Sequence, residues 1–428
     1  MYIKERFRSH HDAEHRLGKL LGIEAHSRKS VMEWDEAAQK LKNETPKKGR
    51  CIYFHVPFCD TICSFCNLNR RKGMEDEVKN YADYLLEEIK KYASHPYVQE
   101  EEFNTVYFGG GTPTILDEGA LEKVLTALFK YLPMAKECEI TMESTLHNLT
   151  PSKVEFLQDL GVNRLSLGVQ SFSDRGREIL NRTGGRDFCI DRIGTFREIF
   201  HGTLGADIIY SYPEQTKSQV LDDASLIHDL GIDSVSFYSL MIHDKSVLGG
   251  KIDRGEIVFD RSLKEDRENH NSFYSYLTNR GYELLELSKL VRPGRDEYRY
   301  IKNRYANGDV LPLGQGAGGR LGLYRIYNMA PGKTMVSPLD KDYDRLHHIL
   351  GFLQYGLYDP NHILPYLGRD LEEEYGSDLK RYVSQGFLEL KQGEYKLTPD
   401  GIFWGNNLAV DLLEKYGKRI LKGEVCYA

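Results

Sequence analysis

Apolar and polar positions alternate between two periods along the middle of the chain. Short, almost continuous apolar runs of strand length are CIYFHVP (51–57), NTVYFGG (104–110), ECEITMES (137–144), NRLSLGVQ (163–170), ADIIYSYP (206–213) and DSVSFYSL (233–240). Between them lie segments with helical spacing. In residues 75–94, Val78, Tyr81, Leu85, Ile89 and Tyr92 fall on one face. Residues 120–132 and 216–231 repeat the pattern, and residues 150–161 are punctuated as a helix by Thr150 at the N-cap, Pro151 at the first position and Gly161 as the stop. Six such alternations predict an α/β fold with a parallel sheet under helices. An open sheet and a partial barrel both satisfy the pattern, and in either the ligand-binding loops follow the carboxyl ends of the strands.

Outside that region the pattern changes. Residues 1–49 are polar, rich in His, Lys and Arg, and read as a lead-in segment. Residues 241–340 are mixed and glycine-rich, including VLPLGQGAGGRLG, and read as an extension of the central fold that carries substrate-binding positions. Residues 341–428 turn helical, then run helix, tight turn, short strands, helix, which predicts a winged-helix-like α+β module.

Composition narrows the class of protein. With 428 residues, 40% hydrophobic and 28% charged, the chain suits a soluble enzyme-sized fold. No apolar run approaches the roughly 18–20 residues that span a bilayer, and the first twenty residues lack the apolar core of a secretion signal. The expected location is the cytoplasm. A net charge of −7 argues against nucleic acid as the partner. Of seven cysteines, Cys51, Cys138, Cys189 and Cys426 are scattered singly, which is no disulfide framework.

The other three, Cys59, Cys63 and Cys66, are spaced C-x3-C-x2-C directly after the first strand. Three thiolates on a short loop suit an iron–sulfur cluster with one iron left open. Ile62, Phe65 and Phe58 would limit solvent there. Zinc with a distant fourth ligand, or three free thiols, are the alternatives. After the second strand stands FGGGTPT (108–114), whose glycines let the backbone approach a ligand closely. A tight turn into a helix explains it equally on its own. Glu143 and Gln170 end the third and fourth strands, whereas Asp207 reads as the start of the fifth and fits the carboxyl-end rule less well.

Taken together, YFHVPFCDTICSFC (53–66) and the GGGTP loop resemble a radical S-adenosylmethionine enzyme, more narrowly the coproporphyrinogen III oxidase-like branch. The likeness continues through ITMEST, RLSLGVQSF, LNRTGG, ADIIYSYPEQT and VSFYSL, over about residues 50–325, and LTPDGIFWGNN (397–407) also matches. The resemblance implies a partial (β/α)6 barrel over residues 50–240. It also implies a 4Fe-4S cluster on Cys59, Cys63 and Cys66, with S-adenosylmethionine chelated at the open iron and cleaved by one electron to a 5′-deoxyadenosyl radical. By the same likeness Tyr53 stands near that cofactor, Gly110, Gly111 and Thr112 line its methionine moiety, and Glu143 takes its ribose hydroxyls. Gln170, Arg182 and Asp207 match further contact positions. A low-potential donor such as flavodoxin is the implied electron source.

Within the branch three activities compete. Oxygen-independent coproporphyrinogen oxidases carry a further cysteine where this chain has Leu68. Heme chaperones carry histidines where this chain has Tyr300 and Gly318. The anaerobic heme-degrading radical methyltransferases share the lead-in RKSVMEW (28–34) and the stretch DEYRYIKNRYANGDVLPLGQGAGGRLGLY, which favours ring opening of heme with methyl transfer and iron release. Heme needs an apolar slot and cations for its propionates. Arg70, Arg71, Lys72, Arg292, Arg295 and Arg320 are the candidate cations, and His10, His11, His15 and His26 the candidate axial ligands.

Overall fold

The computed structural model describes residues 5–22, 31–46, 49–243 and 246–421. Its centre is six parallel strands in sequence order: β1 (Arg50–Val56), β2 (Phe103–Gly110), β3 (Met134–Ser144), β4 (Arg164–Gln170), β5 (Thr203–Tyr210) and β6 (Ser234–Ser239). Period-two alternation divides each strand between two faces. On the outer face Ile52, Phe54 and Val56 are buried with Phe108, Ile140, Met142, Leu165 and Leu167 under the covering helices. Phe54 and Phe108, directly opposite across the β1–β2 pair, stack with ring centroids 4.3 Å apart. On the inner face polar side chains accumulate, beginning with Tyr53, Tyr107 and Glu143.

The helices fall where the periodicity places them. Glu75–Ala93 buries Tyr81, Leu85, Ile89 and Tyr92. Thr150 accepts from the Lys153 amide ahead of Pro151, and Gly161 turns out of that helix at φ +91°. Thr216 and Gln219 form a reciprocal capping box on Lys217–Asp229.

Six more strands extend the sheet: β7 (Glu283–Glu286), β8 (Lys289–Val291), β9 (Val310–Leu313), β10 (Gly318–Leu321), β11 (Tyr324–Ala330) and β12 (Lys333–Pro338). The full order is β12-β11-β10-β9-β1-β2-β3-β4-β5-β6-β8-β7. Residues 241–340, read above as an extension of the central fold, join the sheet itself: β9 pairs with β1 as a seventh parallel strand, and the glycine-rich loop 314–317 follows its carboxyl end. Asp207 also moves, from the supposed start of the fifth strand to the interior of β5, opposite Gly168 and Ser236.

The lead-in is likewise more ordered than its polarity suggests. Helix His10–Leu21, capped by Ser9 and Asp12, buries Ala13 and Leu17 in the core of the C-terminal helices. Helix Trp34–Leu41 sets the Trp34 ring 4.6 Å from that of Tyr92. Ahead of them, Arg6 reaches the Tyr210 hydroxyl and Asp266, and Arg8 donates to the Leu240 carbonyl, so this segment lies against the carboxyl ends of β5 and β6. Residues 23–30, with His26 and the first part of RKSVMEW, lie outside the described residues. The C-terminal part runs through helices Lys341–Leu353, Pro360–Leu367 and Glu372–Ser384, an antiparallel hairpin (Leu388–Lys391 with Glu394–Leu397) and helix Gly405–Leu421. Among the described residues no helix is long and apolar enough to cross a membrane.

Candidate functional site

The cysteine loop leaves the carboxyl end of β1 and is pinned from several sides. Ser64 donates its amide to the Leu180 carbonyl and its hydroxyl to the Ile179 carbonyl, and Asn181 donates to the Ile62 carbonyl. The glycine loop after β2 lies under it: the Gly111 amide donates to the Val56 carbonyl (2.7 Å) and the Thr112 amide to the Phe58 carbonyl (2.8 Å). A Cβ on Gly111 would come 2.4 Å from the Phe58 oxygen, and Gly110, at φ +109°, packs on the His55 ring. Both glycines are therefore required by the close approach of the two loops.

The three thiols carry no disulfide. The Thr112 hydroxyl donates to the Cys59 sulfur at 3.6 Å, and the Arg182 guanidinium to the Cys63 sulfur at 3.0 Å. Among the described residues, Cys51, Cys138 and Cys189 are buried elsewhere and supply no fourth thiol. The three sulfurs do not all converge within 4.8 Å of one another. Ligands of a single zinc ion would sit about 3.8 Å apart. Three thiol donors on one short loop fit an iron–sulfur cluster. Phe58 is buried, and the partly buried Phe65 packs against the apolar group of Ile179, Leu180 and Ile209.

The remaining candidates cluster on the inner face beside this loop. Glu143 accepts from the Tyr107 hydroxyl at 2.5 Å and lies against Gly109. Burial first, and then the neighbouring Asp207 carboxylate, push its carboxyl up to about 7, against the pull of Tyr107. Gln170 ends β4 in the left-handed region (φ 71°), which turns its side chain toward Gly168 and Arg182. Arg182 also donates to the Gly168 carbonyl. Tyr53 donates to His55 Nδ1 (3.0 Å), since His55 Nε2 must donate to the Asn69 carbonyl (2.8 Å) and burial holds the ring neutral. The structure thus gathers Tyr53, Gly110, Gly111, Thr112, Glu143, Gln170 and Arg182 around the carboxyl ends of β1 to β4. Asp207, like Tyr53 three residues from the end of its strand, lies on the same inner face beside Glu143.

Below them the barrel is hollow. Tyr238 keeps 41% of its surface accessible, yet burial pushes its phenol far up. Tyr53, Tyr298 and Tyr305 are partly accessible and shifted upward by burial in the same way. These accessible side chains lie together inside the curve of the sheet and line a chamber there. Its walls are tyrosine-rich: the rings of Tyr107 and Tyr300 stack at 4.5 Å, with Tyr53 6.2 Å from Tyr300. Its floor is a buried polar network in which Arg164 pairs with Asp296 (2.9 Å) and Lys289 donates to Ser236. Arg304 presents its guanidinium 5.7 Å from the Tyr300 ring, and among the described residues forms no ion pair with a carboxylate.

Sequence reasoning missed most of this wall. Tyr107 carried a usable signal, being in step with Thr105 and Gly109 on β2. Arg304 carried none. Of the basic residues it did single out, five have partners elsewhere: Arg70 on the Cys66 carbonyl, Arg71 on Gln315 and Glu77, Arg292 on the His228 carbonyl, Arg295 on Asp233, Arg320 on Asp344; Lys72 is exposed. His11 and His15 are exposed.

Residues 53–227 match the radical SAM superfamily. The chain carries a radical SAM domain over that span, and the cofactors of such a domain are a 4Fe-4S cluster and S-adenosylmethionine. The chain is 28% identical over 388 residues to anaerobilin synthase of Escherichia coli O157:H7, covering 88% of this chain and 86% of that one. It is 27% identical to the heme chaperone HemW of Lactococcus lactis, covering 85% of this chain and 97% of that one. It is also 27% identical to the oxygen-independent coproporphyrinogen III oxidase of Salmonella typhimurium, over 63% of this chain and 61% of that one. The crystal structure of coproporphyrinogen III oxidase from Escherichia coli superposes with a TM-score of 0.73 at 20% identity, covering 91% of this chain and 97% of that chain, so the two share a fold.

Proposed function

We propose that the protein opens the porphyrin ring of heme without oxygen, transferring a methyl group derived from S-adenosylmethionine and releasing iron. The observation that carries this reading is the likeness to anaerobilin synthase, which runs through 88% of the chain and takes in more than the barrel. Two alternatives fare less well at single positions. Leu68, where a decarboxylase has a further cysteine, is 57% exposed and holds no metal-binding group near the cluster loop. Tyr300, where a chaperone has histidine, is a chamber-wall phenol stacked on Tyr107.

In this reading Cys59, Cys63 and Cys66 hold the cluster, and when bound the cluster and S-adenosylmethionine supply the radical. The chain's own residues do the rest. Tyr53, Gly110, Gly111, Thr112, Glu143, Gln170, Arg182 and Asp207 orient S-adenosylmethionine. Glu143 accepts hydroxyl hydrogen bonds. Phe58 and Phe65 limit water at the cluster. The tyrosine-lined chamber takes the flat macrocycle, whose faces suit aromatic walls, and Arg304 meets a propionate with two N–H donors. A flavodoxin-like protein supplies the electron.

Anaerobic incubation with heme, S-adenosylmethionine and a strong reductant is the test, read by absorbance and mass spectrometry. The expected result is loss of the heme band and a product heavier by one methyl and lacking iron. Arg304→Gln should lower heme affinity by roughly tenfold, the weight of one charged hydrogen-bonding partner, and leave affinity for the heme dimethyl ester unchanged. Intact heme passed to an acceptor, or carbon dioxide released from coproporphyrinogen, would replace this reading with chaperone or decarboxylase.

A further inference from the structure

Away from the cluster, the N-terminal helix His10–Leu21 meets the C-terminal helix Lys341–Leu353 beside the chamber wall. His10 and Glu14, one turn apart on the first helix, face His347 on the second. Among the described residues these are the one group of three whose ligand atoms all lie within 4.8 Å of one another. The surroundings fix how each ring points. Asn307 donates its amide N–H to the Asp344 carbonyl (2.7 Å), which leaves its amide oxygen as the acceptor for His347 Nδ1–H (2.8 Å). That hydrogen bond places the proton on Nδ1, so His347 Nε2 carries a lone pair, 3.7 Å from Glu14 Oε1. A ring nitrogen held this way by an outer partner is the arrangement found behind metal-binding histidines.

Glu14 is steadied by the Tyr343 hydroxyl, which donates to its carboxylate. His10 lies between Tyr305 and His347, 5.2 Å from each ring. Its Nε2 is buried and has no hydrogen-bond partner among the described residues. A buried imidazole nitrogen left without a partner is destabilising. A Tyr343–Glu14–His347 hydrogen-bond network explains the other two side chains but leaves this nitrogen unexplained. Burial holds both imidazoles neutral, the form that ligates. Opposing charge is present: Arg304, Arg320 and Arg325 act on His347, although Arg320 is paired with Asp344.

We propose that His10, Glu14 and His347 form a second metal site, for a divalent first-row transition ion, which fastens the N-terminal helix to the C-terminal helices. Two imidazoles and one carboxylate suit ferrous iron or zinc and leave coordination positions open for water. The site stands independently of the ring-opening reading.

Zinc tests it without interference from cluster iron. Anaerobically reconstituted protein is incubated with zinc chloride, desalted and analysed for zinc, iron and sulfide. Wild type should retain about one zinc per chain with iron and sulfide unchanged, and its Tm should rise with zinc. Glu14→Gln, which keeps the Tyr343 contact, and His347→Asn should each weaken zinc binding about tenfold or more and lose the zinc-dependent rise in Tm. Equal zinc retention in wild type and both variants would overturn the site, as would wild type that retains none. If a variant fails to fold, the other still decides. Heme consumption plays no part in the readout, so failure of the reaction and failure of the site remain distinct.

Discussion

Glu143 concentrates the residue-scale chemistry. Its carboxyl sits at about 7 because burial outweighs the Tyr107 hydrogen bond. A folded-state value above the unfolded one, 4.5, means the folded protein holds this proton more tightly. The resulting stability is fully present below pH 4.5 and is lost as pH rises through about 7. The difference corresponds to about 3 kcal/mol. Urea unfolding of the cofactor-free protein should therefore weaken from pH 4.5 to 7.5 by up to about that amount, while Glu143→Gln, which cannot ionise, should weaken less. Parallel pH profiles would contradict this assignment. The places of the cysteines, the glycines and Glu143 at strand ends were legible in the sequence, because the apolar runs mark where each strand stops, while the role given to Glu143 came from the family resemblance. Arg304 was not, because one arginine in YIKNRY gives no sign of which wall it will face.

At the scale of elements, the segment 296–305 is held inside the barrel by the Arg164–Asp296 pair, which is almost fully buried. Asp296 also accepts from the Ser234 hydroxyl and the Tyr298 amide. Arg164 holds the Asp296 carboxyl below the usual carboxylate range, against the upward pull of burial. That stability is present above the unfolded value and lost as pH falls. Asp296→Asn leaves a buried guanidinium without its counter-charge and should cost about 3–5 kcal/mol, read as a lowered urea midpoint. A loss under 1 kcal/mol would mean the segment is anchored otherwise. The six strands and their helices were readable because apolar runs and caps recur. β9 was hidden: VLPL is short, contains proline and is flanked by glycines, and only pairing with β1, more than two hundred residues earlier, makes it a strand. Helix His10–Leu21 was hidden by its polarity, since it buries only Ala13 and Leu17.

At the scale of the whole molecule, the site is a cysteine loop at the mouth of a chamber whose walls come from β1, β2, β6 and the 298–305 segment. Sequence placed the loop and its glycine neighbour. It could not place the chamber, which exists only once residues far apart along the chain enclose a common space. The central claim is that three thiolates from Cys59, Cys63 and Cys66 hold a cluster whose fourth iron is open to S-adenosylmethionine. Electron paramagnetic resonance of the anaerobically reduced protein tests it most directly. A reduced 4Fe-4S signal whose g values shift on adding S-adenosylmethionine, and which is absent in Cys63→Ala, is the predicted result. A cluster signal that S-adenosylmethionine leaves unchanged would contradict the account.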